Sequence, residues 1–240
     1  MDGKHVVIEA PIHSGSEFYN YKGTFSIVLF AIANANYNFL YASVGCQGRI
    51  SDGGVFKSTS FHKLMEESAL NRPKNCNLLG RQLPVPYVLV ADDAFPLTTA
   101  IMKPYSGHQE KHSKNRVFNY RLSRARRVVE NVFGILAAVF RVLRKPMLLQ
   151  PEKAEKIVLT CVLLHNYLRN NAKTRSSYNP PGTFDKEDLE TGTIEPGSWR
   201  RDPQPSASFL PLMNIPRKAS MEAWAIRDEY AVYFMTNQGQ

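Results

Sequence analysis

The sequence predicts an α/β fold, a mixed sheet flanked by helices with a partly disordered C-terminal tail. Three observations lead there. Short β-branched runs fill the first 44 residues. A compact apolar run, Tyr87-Val88-Leu89-Val90-Ala91, ends on two aspartates. From Phe118 to Leu143, apolar residues recur in alternating steps of four and three, the period of one helix face.

Taken in order, His5 to Ala10 reads as a buried strand stopped by Pro11. Thr24 to Val44 carries two β-rich runs around Asn34-Ala35-Asn36, which predicts an antiparallel hairpin. Asp52 then precedes Val55 to Leu70, where Phe56, Phe61, Leu64 and Met65 repeat at helical spacing, and Asp52 is placed to cap that helix. Tyr87 to Ala91, without polar alternation, is expected to be a fourth strand buried on both faces. The stripe Phe118, Leu122, Ala125, Val129, Val132, Leu136, Val139 and Leu143 predicts one long helix, and Glu152 to Asn170 another. Residues 1–171 therefore form the expected core. From 172 to 216 the composition shifts to Pro, Gly and Ser, which predicts a linker of low order, and 217–240 carry one docking helix.

Charge narrows the function. The net charge is +9, and between Glu110 and Lys145 ten basic residues face only two acids, which points to an anionic partner or to a solvated helix face. Three cysteines without C-x-x-C spacing argue against a disulfide framework or a zinc ribbon. No apolar run approaches the roughly 18 residues of a membrane span, and the start lacks a signal-peptide pattern, so an intracellular, soluble protein is expected.

Carboxylates at separate elements are the chemically pointed feature: Asp2 before the first strand, Asp92 at the end of the fourth, and Glu130 on the long helix. Hydrolysis of phosphodiesters by two metals needs hard oxygen ligands around ions roughly 3.5–4 Å apart, and carboxylates supply them. Around Glu130 the helical wheel gathers Arg116, Arg126, Arg127 and Gly134, and Gly134 leaves room for another backbone. The ordinary alternative is a helix salt bridge from Glu130 to Arg126 or Arg127. Asp93 would point to the other side of an extended backbone and ranks as a substitute for Asp92. His165, on an apolar helix, is expected to be a hydrogen-bonded core residue, and Cys161 buried packing.

Seven short motifs in order then carry a family resemblance. They are Asp2-Gly3-Lys4-His5-Val6, Tyr21-Lys22-Gly23, Gly48 to Phe56 (GRISDGGVF), Ala91 to Leu97 (ADDAFPL), Asn119 to Arg126 (NYRLSRAR), Val129 to Gly134 (VENVFG) and Leu164 to Leu168 (LHNYL). Over roughly residues 2 to 170 the chain resembles the PIF/Harbinger transposases and the nucleases derived from them. The resemblance implies an RNase H-like fold and a DDE triad of Asp2, Asp92 and Glu130 holding Mg²⁺ or Mn²⁺, two ions in all, for attack on a DNA phosphodiester. It further implies DNA as partner, and the basic stretch itself offers Arg116, Arg121, Arg124, Arg126 and Arg127 as candidate phosphate contacts. A separate Myb-like DNA-binding protein, homo-oligomers and a nuclear location belong to the same expectation.

In that family, strand residues precede the first acid, whereas here Asp2 follows Met1. A truncated first strand, with Asp2 on a frayed terminus, is therefore expected. Two other function classes stay open: a domesticated remnant that binds DNA or a protein without cutting, and an RNase H-like enzyme acting on RNA.

Overall fold

The computed structural model describes residues 1–188, 192–201 and 219–239. Its strands are β1 (Asp2–Val7), β2 (Ser26–Ala33), β3 (Phe39–Gln47), β4 (Cys76–Asn77), β5 (Pro84–Val85), β6 (Leu89–Val90), β7 (Ile101–Met102), β8 (Lys186–Glu187) and β9 (Ile194–Glu195). The helices are α1 (Asp52–Ser58), α2 (Ser60–Glu66), α3 (Lys114–Val139), α4 (Pro151–Asn170), α5 (Arg175–Tyr178) and α6 (Met221–Tyr233). The class is mixed α/β, with helices and small sheets, and the chain divides into two compact units.

The sheet unit comprises Asp2–Val55 and the described residues of Val128–Leu210. β1 pairs antiparallel with β2, from Asp2 opposite Ala31 to Val7 opposite Ser26, and β2 pairs with β3 through the predicted hairpin. Strand β1 begins at Asp2, earlier than the sequence reading placed it. Opposite residues of an antiparallel pair share a face, so Asp2, Lys4 and Val6 lie with Ala31, Leu29 and Ile27. That face packs on Val129, Val132, Phe133 and Leu136 of α3 and on Ala154, Val158, Cys161 and Val162 of α4. Gly3 and His5 take the opposite face, with Phe30 and Val28.

Helix α4 is pinned to the hairpin by two neighbouring residues. Asn166 accepts the N–H of Phe39 (2.9 Å) and donates to its carbonyl (2.8 Å). His165 is fully buried, its Nε2 donating to the Tyr37 carbonyl (2.8 Å) and its Nδ1 accepting from the Tyr178 hydroxyl (2.7 Å). Burial holds its pKa down to about 4, so the imidazole is neutral.

Part of the Pro- and Gly-rich stretch after residue 171 contributes to this unit. Trp199 is buried against Ile135 and Tyr178, and its Nε1 donates to Asn131 Oδ1 at 2.7 Å. A Cβ on Gly134 would lie 2.2 Å from the Trp199 ring. The space left by that glycine thus receives an indole rather than the backbone foreseen. Residues 189–191 and 202–216 of the expected linker, and 217–218 of the segment after it, lie outside the described residues.

The second unit comprises Met1, Phe56–Arg127 and the described residues of Pro211–Gln240. Its core joins Leu97, Met102, Phe118 and Leu122 to Ala223, Ile226 and Ala231 of α6. Arg81 chelates Glu229 (2.6 and 2.9 Å), and Arg227 lies over the rings of Tyr105 (3.7 Å) and Trp224 (4.3 Å).

Two expectations are corrected here. The run Tyr87 to Ala91 forms only the two-residue β6, paired in parallel with β7, with Tyr87 exposed and Leu89 and Val90 half-buried. Pro84 and Pro86 lack the N–H groups that a longer ladder needs. The single helix expected from Val55 to Leu70 is broken at Thr59, whose hydroxyl accepts from His62 and caps α2.

Candidate metal centre

The centre is built on the first two residues of β1. Asp2 is held by the ladder opposite Ala31, and its Oδ1 accepts the N–H of Gly3 at 2.9 Å. Met1 is buried and its ammonium donates to the Val90 carbonyl at 2.7 Å. The acid therefore sits on a paired strand and not on a frayed terminus.

Gly3 explains what stands beside it. A Cβ built there would fall 2.2 Å from Oδ1 and 2.7 Å from Cγ of Asp52, so the Asp52 carboxylate rests against bare backbone. Asp2 and Asp52 each offer a carboxylate oxygen within 4.8 Å of the other. Asp52 opens α1, where the helix N-terminus favours a negative charge. The turn into α1 is closed by the Ser51 carbonyl, which accepts from Gly54 (2.7 Å) and Val55 (2.8 Å). Sequence reasoning ranks capping ahead of metal binding for Asp52; the signal it passes over is the pairing of two Asp-Gly steps, Asp2-Gly3 and Asp52-Gly53.

Positive and aromatic groups surround the pair. Lys4, two residues along β1 on the face of Asp2, has its pKa lowered by burial and by Lys22, against an opposing pull from Asp2. Lys22 is likewise lowered by burial while Asp52 raises it, and burial, Asp52 and Asp2 together raise the phenol of Tyr21. His5 is held near pKa 4 by burial, Lys22 and Lys4, so it is neutral. None of Lys4, His5, Tyr21 or Lys22 had been assigned a role from sequence. Their signal was membership of two motifs whose function was left unread.

Asp92 belongs to the second unit. It follows β6, and its Oδ1 accepts the N–H of Ala94 at 2.9 Å, an Asx turn that fixes the carboxylate. Its Oδ2 lies 3.8 Å from Arg126. Asp93, not in extended backbone as the reading had it, pairs with Lys103 at 2.7 Å.

Glu130 lies half-buried on α3 in the sheet unit, one residue from Val129, which packs on the face that carries Asp2. Among the described residues it is not one of the carboxylates gathered with Asp2 and Asp52. Its negative charge acts on Arg200, which is itself held by Asp185 at 2.7 Å.

The arginines of α3 differ in exposure and in contacts. Arg121 donates to the Gly239 carbonyl and lies 5.1 Å from the Phe234 ring centroid, while Arg124 covers Tyr120 at 5.8 Å. Arg126 faces Asp92. Arg116 is exposed and Arg127 half-buried.

Paired carboxylates on a glycine-backed strand, in a mixed α/β chain rich in positive charge, offer oxygen ligands of the kind that hard divalent cations take. The family is narrower. The model of the DDE superfamily endonucleases matches residues 1–166, and the chain belongs to that family. Among curated proteins it is 27% identical over 177 residues to "Protein ALP1-like" of Arabidopsis thaliana, covering 70% of this chain and 42% of that protein. It is 26% identical over 169 residues to "Putative nuclease HARBI1" of Homo sapiens, covering 69% of this chain and 44% of that protein. The chain thus spans less than half the length of these relatives. No solved structure matches it. The resemblance to Harbinger-derived nucleases read from the motifs is borne out.

Proposed function

We propose that this chain is a divalent-metal-dependent DNA endonuclease with an RNase H-like catalytic core, cleaving phosphodiesters by hydrolysis or strand transfer. One observation carries the proposal: two carboxylates, from β1 and the start of α1, sit side by side, with that of Asp52 resting where a side chain on Gly3 would stand. Two anions brought that close repel one another, and a divalent cation is the partner that turns repulsion into binding.

In this reading Asp2 and Asp52, both of the sheet unit, offer their carboxylate oxygens to the cation. Glu130 is the helix-borne acid of the triad that the family positions imply, with Asp2 and Asp92. Bound Mg²⁺ or Mn²⁺ supplies Lewis acidity and an activated oxygen nucleophile. The protein's own residues do the rest. Arg116 and Arg127 meet the phosphates, and Lys4 lies two residues along β1 on the face of Asp2. The printed name of the human relative, a nuclease, supports the same assignment. The nucleus as place of action, a Myb-like partner and homo-oligomers are part of the proposal through the family alone.

Nicking of supercoiled plasmid in Mg²⁺ or Mn²⁺ tests it. Asp2→Asn, Asp92→Asn and Glu130→Gln should each lower the rate by about 10²–10³-fold, the usual cost of removing one preorganised charge. Equal nicking by wild type and all three variants would overturn the assignment. Cleavage of RNA in place of DNA would reassign the substrate.

A further inference from the structure

The turn between Tyr19 and Phe25 is built more firmly than a surface loop requires. Asn20 is buried, and its Oδ1 accepts the N–H groups of Lys22 (2.9 Å) and Thr24 (3.2 Å). Its Nδ2 donates to Thr24 Oγ1 (3.0 Å) and Ser26 Oγ (2.8 Å), and Ser26 Oγ in turn meets His5 Nδ1 at 2.9 Å. Gly23, at φ +76°, supplies the left-handed residue that closes the turn. All of this rigidity serves to present two residues, Tyr21 and Lys22.

Their position follows from the alternation of β1. Gly3 and His5 point to one face, about 7 Å apart along the strand. Gly3 carries the Asp52 carboxylate, and the His5 ring meets Tyr21 edge-on at 5.5 Å. Tyr21 is therefore the next group along the face that seats Asp52. It is 38% exposed, high for a ring with this much contact, and Lys22 Nζ lies 5.5 Å from its centroid.

An exposed aromatic surface and an ammonium, rigidly mounted beside a carboxylate pair, are the groups that hold a nucleotide: a π-face for a base and a cation for a phosphate. We propose that the Tyr21-Lys22 turn is a strand-holding element, with Tyr21 stacking on an unpaired base of DNA and Lys22 pairing with its phosphate, next to the metal-binding carboxylates. This deepens the nuclease reading and rests on it for the identity of the neighbouring site. Stacking reads no base edge, so the element holds strands of any sequence, and it favours DNA whose bases are unstacked.

The test is fluorescence anisotropy of a labelled single-stranded oligodeoxynucleotide and its duplex, in EDTA and across a salt series, with Mn²⁺ titrated calorimetrically in parallel. Tyr21→Leu should weaken single-strand binding about tenfold and duplex binding less, whereas Tyr21→Phe should keep wild-type affinity. Lys22→Gln should reduce the log affinity against log salt slope by about 0.7 for the single strand. Melting temperatures should stay at wild-type values for Tyr21→Phe and Lys22→Gln. Unchanged oligonucleotide affinity and salt slope in both Tyr21→Leu and Lys22→Gln would overturn the inference. Should wild type take up no Mn²⁺ while the oligonucleotide effects persist, the metal-nuclease reading falls and the strand contact stands. Loss of affinity in Tyr21→Phe equal to that in Tyr21→Leu would also overturn it, since stacking does not need the hydroxyl.

Discussion

Gly3 is the residue on which the acidic site turns. Its missing Cβ is the space occupied by Asp52, so Gly3→Ala must push that carboxylate away while disturbing only the end of a side chain. Mn²⁺ affinity should fall about 10–100-fold, the scale seen when a group that orients a ligand is lost, with little change in melting temperature. Parallel calorimetry and thermal denaturation check this, and an unchanged Mn²⁺ affinity would show that Asp52 takes no part. His165 makes a second prediction at this scale. Its folded pKa of about 4 lies below the unfolded value of 6.5, so the unfolded chain binds a proton first as pH falls. The contribution of His165 is complete above pH 6.5 and is lost between 6.5 and 4, to a total of roughly 3 kcal/mol. Urea denaturation from pH 7 to 4 should show that loss, and His165→Gln, destabilised at neutral pH, should show a shallower one.

At the scale of elements, the stretch 192–201 bears on stability although its composition suggests otherwise. Trp199 fills the space over Gly134 and satisfies Asn131, so Trp199→Ala opens a cavity and leaves a buried amide oxygen with one partner fewer. A loss of about 3–5 kcal/mol is expected, measurable by chemical denaturation. Periodicity made α3, α4 and the hairpin legible in the sequence, because each buries a regular stripe or alternates across a sheet. It could not foresee the break at Thr59, where a local cap outweighs the pattern, or the brevity of β6, where Pro84 and Pro86 limit pairing. Trp199 escaped notice because a single anchor leaves no period. The site was legible in part for a similar reason: Asp2 and Asp92 stand at the ends of predicted strands, while the place of Asp52 depends on Gly3, a contact between residues 49 positions apart in sequence, and no local pattern encodes it.

For the molecule as a whole, the net charge of +9 predicts nucleic-acid affinity that falls linearly in log salt. Arg121 and Arg124 of α3 make contacts within the protein, whereas Arg116 is exposed. Arg116→Ala should therefore weaken DNA of every sequence alike and lower the slope by about one for duplex DNA. Arg121→Ala, which loses the Gly239 carbonyl and the Phe234 ring, should lower stability more than salt dependence. DNA-binding isotherms at several salt concentrations, beside melting curves, distinguish the two.

The most direct measurement is calorimetric titration of the whole chain with Mn²⁺, compared with Asp2→Asn and Asp52→Asn. Saturable binding in wild type, weakened by each substitution in a chain that still melts cooperatively, is the predicted result. Wild-type heats that persist in both variants, or no saturable binding at all, would contradict the claim that these carboxylates seat a divalent cation.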